Sequence, residues 1–383
     1  MKIIYYSNPY FADCDFPLIK ELREQGHQII YILLFTKDSL KSTLIDINTP
    51  YPQNGIFKPD IYKELNIYKD FIGYNDTYII NNVIPKKSIF EKIKFAHKVI
   101  KFINSFKADY IWTTRPFQKE EWPLYFFNKV ALTIHDPFPH SGENLSKEKS
   151  LNKKIALNFS KKIFILNERL KNDFCVKFKV SPLKVYTNKL GRYDCIKLFH
   201  NDQITINKKP YILFYGRISP YKGIEYLIES FLKINKLHPE LNLIIAGSGK
   251  LYFDFSPYKN IKSIELRNYY INMDETAILF NNAEFIVCPY TDATQSGVIM
   301  TAFTLNKTVV ASNVGAINET VIDHQTGLLV KPQNIEDLSN NISLLYTNKK
   351  LRSTIEENIK NIYSKGENSW ENITKQYIDS LKK

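Results

Sequence analysis

The stretch that decides the fold is Tyr211-Ile-Leu-Phe-Tyr-Gly216-Arg217-Ile-Ser-Pro-Tyr-Lys222-Gly223. It opens with an apolar and aromatic run that is typical of a buried strand, and this run ends at Gly216. The loop that follows presents two cations, Arg217 and Lys222, before a helical pattern begins. Ligands of open α/β sheets bind at the carboxyl ends of the strands, where an Arg fork and a Lys charge suit a phosphate or diphosphate. The stretch therefore predicts an anion site on a parallel sheet, and the alternative is a pair of solvated loop cations.

The same alternation of strand and helix patterns runs through both halves of the chain. Such alternation predicts parallel sheets that are covered by helices on both faces. The sequence thus indicates an α/β protein of two Rossmann-like, doubly wound domains that face each other across a cleft, the default ligand site. The predicted strands are residues 3–6, 27–35, 110–113, 129–134, 211–215, 241–246, 261–266, 284–288 and 308–311, and the predicted helices include 16–25, 89–106, 221–237 and 370–381.

Length and pattern together place a domain boundary near residue 195. A chain of 383 residues is too long for one ordinary hydrophobic core. The alternation stops near residue 187, and residues 192–210 are polar and irregular before it restarts at Tyr211. We therefore expect an N-terminal domain over residues 1–195 and a second domain over residues 196–367.

Composition excludes several classes of protein. The chain is 44% hydrophobic and 24% charged, which rules out wholesale disorder. Its apolar run over residues 29–35 is far shorter than the roughly 20 residues that a membrane-spanning helix needs. Four scattered cysteines form no CxxC pair, so neither a disulfide framework nor a zinc site is indicated. These features predict a cytoplasmic protein with reduced thiols.

The net formal charge of the chain indicates what kind of partner it binds and does not indicate its fold. Lysine and arginine number 52 against 39 acidic residues, so 52 − 39 gives a net charge of +13. An excess of this size favours an anionic partner, such as a nucleic acid, a membrane surface or an anionic small molecule. The positive charges are diffuse, and no recognised nucleic-acid module is present, so we do not expect a nucleic-acid partner.

A second stretch repeats the strand-loop-helix arrangement. The apolar run that ends at Cys288 leads into a polar loop, and Ser296-Gly297 then opens an apolar helix. Free backbone N–H groups at a helix start attract anions, and Gly297 permits a close approach. A simple capped helix is the alternative. The third stretch, residues 311–330, has the same pattern and ends in a turn.

Together the three stretches resemble the C-terminal domain of the retaining glycosyltransferases of family 4, the group 1 class with the GT-B fold. The order and spacing of the motifs carry this resemblance, since no single motif would suffice. The matching pieces are G-R-x4-K-G (Gly216, Arg217, Lys222, Gly223), the G-x-G turn (Gly247, Gly249), the segment Thr308–Ser312, V-G-x-x-x-E (Val314, Gly315, Glu319) and T-G-L-L-V from Thr326.

The resemblance implies transfer of a sugar from a nucleoside-diphosphate sugar, with retention of configuration and without a metal or another cofactor. The resemblance makes residues 1–195 the acceptor-side domain and residues 196–367 the donor-binding domain, and it assigns the helical segment 368–383 to the first domain. By the same resemblance, Arg217 and Lys222 hold the donor diphosphate and stabilise the leaving group. The acceptor is expected to be a glycan or a lipid-linked saccharide in cell-surface polysaccharide biosynthesis. The residues expected at the donor are Gly216, Gln295, Ser296, Gly297, Val298, Thr301 and Glu319.

One departure from the family pattern concerns its two glutamates, which stand eight positions apart in most members. The second position is Thr301 here, and the first falls within residues 293–295. Some relatives carry the same Gln-Ser-Gly-Val version of this loop. We therefore expect Gln295, Thr294, Thr301 or backbone groups to make the contacts that the carboxylates make elsewhere, and the donor sugar is left open.

The N-terminal domain offers fewer signals. His135 follows a predicted central strand, where the family often has a histidine near the donor sugar and the acceptor, so His135 is expected at the catalytic centre. Asp136 and Asp15 are expected on the acceptor side, and Asp15 is interpreted as a helix N-cap ahead of Pro17. A structural histidine is the alternative for His135. The prolines and crowded spacing disfavour a metal site of His135 and Asp136 with His140 and Glu143, and no metal is expected.

The helical segment 89–106 combines an apolar face with many lysines. Ile89, Ile93, Ala96, Ile100 and Ile103 share one face, and Lys86 and Lys87 precede the segment. A core-packed helix with a solvated basic side is the first interpretation. The second is a surface that docks onto anionic lipid, which would place the protein at the inner face of the membrane.

Two further functions stay open at this point. The missing glutamates are compatible with a noncatalytic partner subunit that binds sugar nucleotides. The net charge of +13 is compatible, more weakly, with a nucleic-acid glucosyltransferase. Binding of nucleoside diphosphates and hydrolysis of nucleotide sugars distinguish these from the leading hypothesis.

Overall fold

The chain folds into two units, each built on its own sheet. The computed structural model describes residues 1–50, 53–86, 88–138, 147–199 and 209–383. The first unit comprises the described residues up to Gly191 together with Trp370–Lys383, and the second runs from Arg192 to Ser369. The division thus falls slightly before residue 195, the boundary that the sequence predicted.

The first unit contains an eight-stranded sheet with the order β3-β4-β2-β1-β5-β6-β7-β8. Every neighbouring pair is parallel except β3 and β4, which are antiparallel. The strands are β1 (Lys2–Ser7), β2 (Gln28–Thr36), β3 (Gly55–Phe57), β4 (Thr77–Asn82), β5 (Tyr110–Thr113), β6 (Val130–Ile134), β7 (Lys162–Ile165) and β8 (Val185–Thr187).

Apolar runs explain the central strands of this unit. Residues 29–35 of β2 are all buried, as expected for a parallel strand that is covered on both faces. Helix Trp370–Lys382 packs on the same unit, where Tyr377 lies 4.7 Å from Trp112 of β5 between ring centroids. The other helices are α1 (Ala12–Glu24), α2 (Lys69–Ile72), α3 (Ile89–Ser105), α4 (Pro123–Phe127), α5 (Lys147–Phe159) and α6 (Lys171–Phe178).

The second unit contains a parallel six-stranded sheet with the order β11-β10-β9-β12-β13-β14. Its strands are β9 (Tyr211–Tyr215), β10 (Asn242–Gly247), β11 (Ile264–Asn268), β12 (Ile286–Cys288), β13 (Val309–Ser312) and β14 (Leu328–Val330). Its helices are α7 (Ile224–Asn235), α8 (Met273–Asn282), α9 (Gly297–Thr304), α10 (Ile317–Thr320), α11 (Ile335–Thr347) and α12 (Lys349–Lys360), and the C-terminal helix of the chain is α13 (Trp370–Lys382).

Strand order creates a switch point in each sheet. In the first unit β1 lies between β2 and β5, and in the second β9 lies between β10 and β12. Chain connections leave the central strand in opposite directions at such a point, which opens a crevice at the carboxyl ends of the strands. The predicted α/β architecture of two doubly wound, mostly parallel sheets is confirmed.

Several predicted elements start elsewhere. Asn8 caps a 3-10 turn, Pro9–Phe11, by accepting a hydrogen bond from the Tyr10 N–H at 3.0 Å, and α1 follows at once from Ala12. Asp15 therefore lies inside the first turn of α1, so its interpretation as the N-cap is wrong. The helix predicted from residue 221 begins only at Ile224, after a 3-10 turn over residues 220–222.

Strands β4 and β7 are absent from the predictions and are buried within the first sheet. Of the helices in the described part of the chain, none is both long enough and apolar enough to cross a membrane.

Candidate functional site

The first unit has a cavity of about 1080 Å³ along the carboxyl edge of its sheet. It is lined by residues that directly follow five strands which neighbour one another in the order β4-β2-β1-β5-β6. A doubly wound sheet is expected to bind its ligand at this edge, and the switch point beside β1 lies within it. The lining residues that follow these strands are Val83, Lys37, Asn8, Thr114 and His135.

His135 and Asp136 both line this cavity, so the structure brings two of the predicted site residues together. The His135 ring stacks on Phe11 with 4.4 Å between centroids. Burial lowers the pKa of His135 to about 4, against the opposing charge of Asp136, so the imidazole is neutral near pH 7. A neutral imidazole is able to donate and accept hydrogen bonds with sugar hydroxyls.

Asp15 lies beneath this cavity and not in its lining. Its carboxylate is fully buried and accepts hydrogen bonds from the Tyr5 hydroxyl at 2.6 Å and from the Ser7 hydroxyl at 2.5 Å. Burial raises the pKa of Asp15 to about 7, although both hydroxyl contacts oppose the change. Asp15 thus connects β1 to α1, and its predicted acceptor contact stays a prediction.

A possible ligand set for a metal ion involves Cys14, Asp15 and His135. Ligand atoms of these three residues lie within 4.8 Å of one another, and among the described residues no other such group of His, Cys, Asp and Glu side chains is found. The Cys14 Sγ lies 4.0 Å from the His135 Nε2. Since the two oxygens of Asp15 already accept hydroxyl protons, the carboxylate is satisfied without an ion. The alternative set with His140 and Glu143 falls on residues outside the described part of the chain.

In the second unit, the predicted donor residues lie at the carboxyl ends of adjacent strands. Gly216 and Arg217 follow β9, and the loop after β12 leads to Ser296 and Gly297 at the start of α9. The Arg217 side chain is exposed. The sheet order places β9 beside β12, so both loops flank the switch point of this sheet.

The glycine turn after β10 supports the loop that carries Arg217. Gly247 has a φ of +149°, and a Cβ there would lie 1.8 Å from the Gly216 carbonyl oxygen. The Ile218 N–H donates to the Ser248 carbonyl oxygen at 3.0 Å. Because no side chain fits between the two backbones at Gly247, the G-x-G turn fixes where the loop leaves β9.

Lys222 reaches the loop after β12. Its ammonium nitrogen lies 3.7 Å from the centroid of the Tyr290 ring, and the Tyr290 hydroxyl is 3.2 Å from the Ser296 hydroxyl. Ser296 caps α9 by accepting a hydrogen bond from the Ile299 N–H at 3.4 Å. The Lys222 ammonium and the N-cap residue of α9 thus both contact Tyr290.

The remaining donor-side predictions are distributed around α9. A Cβ on Gly216 would lie 3.5 Å from the Val298 methyl, which places these two residues against each other. Thr301 donates its hydroxyl proton to the Gly297 carbonyl oxygen at 3.0 Å. Glu319 lies in α10, and Gln295 lies in the loop before α9; both side chains are partly exposed. Their contacts with a donor stay predictions.

Sequence reasoning missed three residues of these sites. Cys14 and Tyr290 contact predicted site residues, and the Ser219 hydroxyl oxygen is buried beside Lys222 with no hydrogen-bond partner among the described residues. Ser219 could have been found, because it lies within the G-R-x4-K-G motif. Cys14 and Tyr290 depend on contacts between segments distant in the chain, which a single sequence does not reveal.

Comparison with known proteins agrees with this arrangement. Residues 197–362 match the family described as glycosyl transferases group 1. An uncharacterized glycosyltransferase of Methanocaldococcus jannaschii is 29% identical over 325 residues, which cover 82% of this chain and 84% of that protein.

Solved structures agree in fold over the whole chain. A structure of Anabaena HepE in complex with UDP and glucose has a TM-score of 0.69 at 17% identity and covers 100% of this chain and 99% of that one. Sucrose-phosphate synthase from Thermosynechococcus elongatus has a TM-score of 0.68 at 17% identity, with 100% and 98% covered. At this level of identity the likeness establishes the fold, which is GT-B, and nothing about substrates. The part of the chain that carries the motifs at the strand ends of the second unit, residues 197–362, is thus similar to the glycosyl transferases group 1.

Proposed function

We propose that this protein transfers a sugar from a nucleoside-diphosphate sugar to a glycan or a lipid-linked saccharide, with retention and without a metal ion or another cofactor. The observation that carries the proposal is the placement of Lys222 and the Ser296-capped start of α9 around one tyrosine at the ends of β9 and β12. A cation and a helix N-terminus at one point suit a diphosphate.

The chemistry follows from the leaving group. When the bond between the sugar and the diphosphate breaks, negative charge develops on the departing phosphate. Fixed positive groups stabilise that charge without reorganising during the reaction, which is the largest contribution in many enzymes. We assign this role to Arg217 and Lys222, with the backbone N–H groups at Gly297 and Val298 as further donors.

The donor sugar and ribose need other contacts, because the usual carboxylates are replaced. Thr294, Gln295 and Thr301 are the polar side chains of the loop and of α9 that we assign to them. Gly216 and Glu319 complete the donor side of the proposal. A hexose is our choice of sugar class.

The acceptor is assigned to the cavity of the first unit. Its volume of about 1080 Å³ is large enough for a saccharide, and it combines apolar walls with hydroxyl and carboxylate groups. We place His135 at the reacting sugar, as a neutral hydrogen-bonding group, and Asp136 beside the acceptor. The process that we propose is the cytoplasmic synthesis of a cell-surface polysaccharide precursor.

Nucleotide binding tests this proposal. We expect UDP, GDP or ADP to bind the full chain with a micromolar Kd in isothermal titration calorimetry, and one nucleotide sugar of a panel to be hydrolysed slowly without added metal. EDTA should leave both results unchanged. Binding without any hydrolysis or transfer would favour the noncatalytic subunit, whereas binding of none of the three diphosphates would contradict the donor site.

A membrane surface is the second part of the proposal, and α3 supports it. Its second half is packed, with Val99 and Ile103 buried, whereas Ile89, Phe90 and Ile93 are 58%, 81% and 54% exposed. The interpretation of α3 as a core-packed helix with a solvated basic side therefore agrees with its second half and is wrong for Ile89 and Ile93 in its first turns. Exposed apolar side chains among lysines match a helix that lies on anionic lipid, and Lys87 falls outside the described residues.

Sedimentation with vesicles tests the membrane surface. We expect the protein to sediment with phosphatidylglycerol vesicles and not with phosphatidylcholine vesicles, and 0.5 M NaCl should release most of it because salt screens the attraction. The double variant Phe90→Asp, Ile93→Asp should reduce sedimentation several-fold. Leu237→Asp, at a 74% exposed position of the other unit, is the matched control and should change nothing. Equal sedimentation of both variants would contradict the role of α3.

A further inference from the structure

Tyr290 is a buried aromatic residue in the loop where the donor diphosphate is proposed to bind. It follows β12 through Pro289, and only 1% of its surface is exposed. Its ring faces the Lys222 ammonium at 3.7 Å from nitrogen to centroid. A lysine at the carboxyl edge of the sheet thus rests on the aromatic ring of a residue in a loop that is far away in the sequence.

An aromatic face holds a cation in a way that suits anion binding. The ring attracts the ammonium through its quadrupole, and the attraction grows when water is excluded. A carboxylate in the same position would attract more strongly, but it would also neutralise the lysine and compete with an incoming phosphate. The ring fixes the position of the ammonium and does not itself neutralise its charge.

The backbone around Tyr290 is tied to the backbone around Lys222. The Thr291 N–H donates to the Tyr221 carbonyl oxygen at 2.8 Å. Gly223 has a φ of +64°, and a Cβ there would lie 2.1 Å from the Pro289 carbonyl oxygen. The two segments of the chain therefore contact each other through their main-chain atoms. These contacts hold the ring and the lysine stem in register, so the stacking does not depend on two mobile loops.

The Tyr290 hydroxyl connects this residue to the start of α9. It lies 3.2 Å from the Ser296 hydroxyl, which caps the helix. One side chain therefore contacts both parts of the proposed diphosphate site, the cation after β9 and the helix start after β12. A positioning group of this kind lowers the cost of ordering the site when the ligand arrives.

We propose that Tyr290 is the positioning residue of the donor site: its ring holds the Lys222 ammonium in place for the diphosphate, and the contact of its hydroxyl with Ser296 helps to anchor the ring. The inference rests on the proposed function, since it assigns Lys222 to the diphosphate. Tyr290 itself does not touch the reacting atoms. Its effect on the nucleotide passes through Lys222.

A double-mutant cycle with UDP as the probe tests this inference. In calorimetry on the full chain, Tyr290→Leu should weaken UDP binding about tenfold, as loss of a desolvated cation–π contact predicts. Tyr290→Phe keeps the ring and should stay within about threefold of the unsubstituted protein. In the Lys222→Ala background, Tyr290→Leu should add less than about twofold, because the group through which it acts is gone.

The alternative outcomes are separate. If Tyr290→Leu weakens binding equally with and without Lys222, the ring is only a packing residue and the inference is wrong. It is also wrong if Tyr290→Phe is as damaging as Tyr290→Leu, or if neither has an effect. If the unsubstituted protein binds UDP but the cycle shows no coupling, the inference fails while the proposed donor site stands. Failure to bind UDP, GDP and ADP overturns both. Circular-dichroism melts of each variant check that the second unit is folded.

Discussion

Lys222→Ala and Arg217→Ala are each expected to lower kcat of sugar transfer by about 100- to 1000-fold, as removal of one preorganised donor to a developing anion does in other enzymes. Both positions follow β9 at the carboxyl edge of the sheet, and Lys222 is held over Tyr290. Fold stability should hardly change, because Arg217 is exposed and Lys222 is partly exposed.

The measurement is a steady-state assay with the nucleotide sugar that the panel identifies. Lys222→Arg should recover part of the lost rate, since it restores the charge but not the compact ammonium. Lys236→Ala is the matched control, because this exposed lysine caps the opposite end of α7, the helix that begins just after Lys222. Unchanged kcat in both alanine variants would remove these residues from the proposed catalytic site and leave the family match of residues 197–362 unaffected.

The salt dependence of diphosphate binding tests the roles of Arg217 and Lys222 in a second way. A diphosphate held by exposed cations loses affinity as ionic strength rises, because the Debye length falls to about 3 Å at 1 M salt. Replacing Arg217, which is exposed, should therefore reduce the salt dependence more than replacing Lys222, whose ammonium rests on a buried ring.

The sequence predicted the second unit better than the first. Its motifs lie directly at strand ends, so the loop that presents Arg217 and Lys222 could be placed from the pattern of residues 211–223 alone. A local sequence pattern does not reveal that β9 pairs with β12, because α7, β10, β11 and α8 separate the two strands along the chain. The contact between Lys222 and Tyr290 results from that pairing, and no local sequence pattern predicts it.

In the first unit, local signals competed with one another. Residues 12–17 place an aspartate ahead of a proline, which is a common pattern of a helix start, but the same pattern occurs earlier as Asn8-Pro9. The earlier pair caps the 3-10 turn, and α1 continues directly from it, so Asp15 became a buried partner of Tyr5 and Ser7. Burial of a carboxylate among hydroxyls depends on tertiary packing, which propensity alone does not predict.

A buried ion pair in the first unit carries the other large expected effect. Arg115 and Glu121 are only 8% and 9% exposed, and both terminal nitrogens of Arg115 donate to the Glu121 carboxylate at 3.0 Å. The Tyr6 hydroxyl and the Gln118 N–H donate to the same carboxylate at 2.6 and 3.0 Å. Burial alone would raise the pKa of Glu121, but the charge of Arg115 and these hydrogen bonds overcome it and hold the pKa below its ordinary value of 4.5.

Removing one partner should therefore be costly. We expect Glu121→Ala to lower the free energy of unfolding of the first unit by about 3–5 kcal/mol, because it leaves the Arg115 charge buried without compensation. The double variant Arg115→Met, Glu121→Leu removes both charges at similar volume and should be more stable than Glu121→Ala. In the unsubstituted protein the pair stabilises above the unfolded pKa of Glu121, and this contribution is lost as the pH falls through the lower folded pKa.

The free energy of unfolding of the first unit can be measured separately from that of the second. Its three tryptophans, Trp112, Trp122 and Trp370, all belong to the first unit, so tryptophan fluorescence in a urea titration reports the unfolding of that unit even when the second unfolds separately. Lys119→Ala, at an exposed position of the same turn, is the control and should shift the midpoint little. Arg115 and Glu121 both line the cavity of the first unit. If Glu121→Ala costs no more than Lys119→Ala, water from this cavity must reach the Arg115 guanidinium freely, and the expectation of a costly uncompensated charge would be wrong.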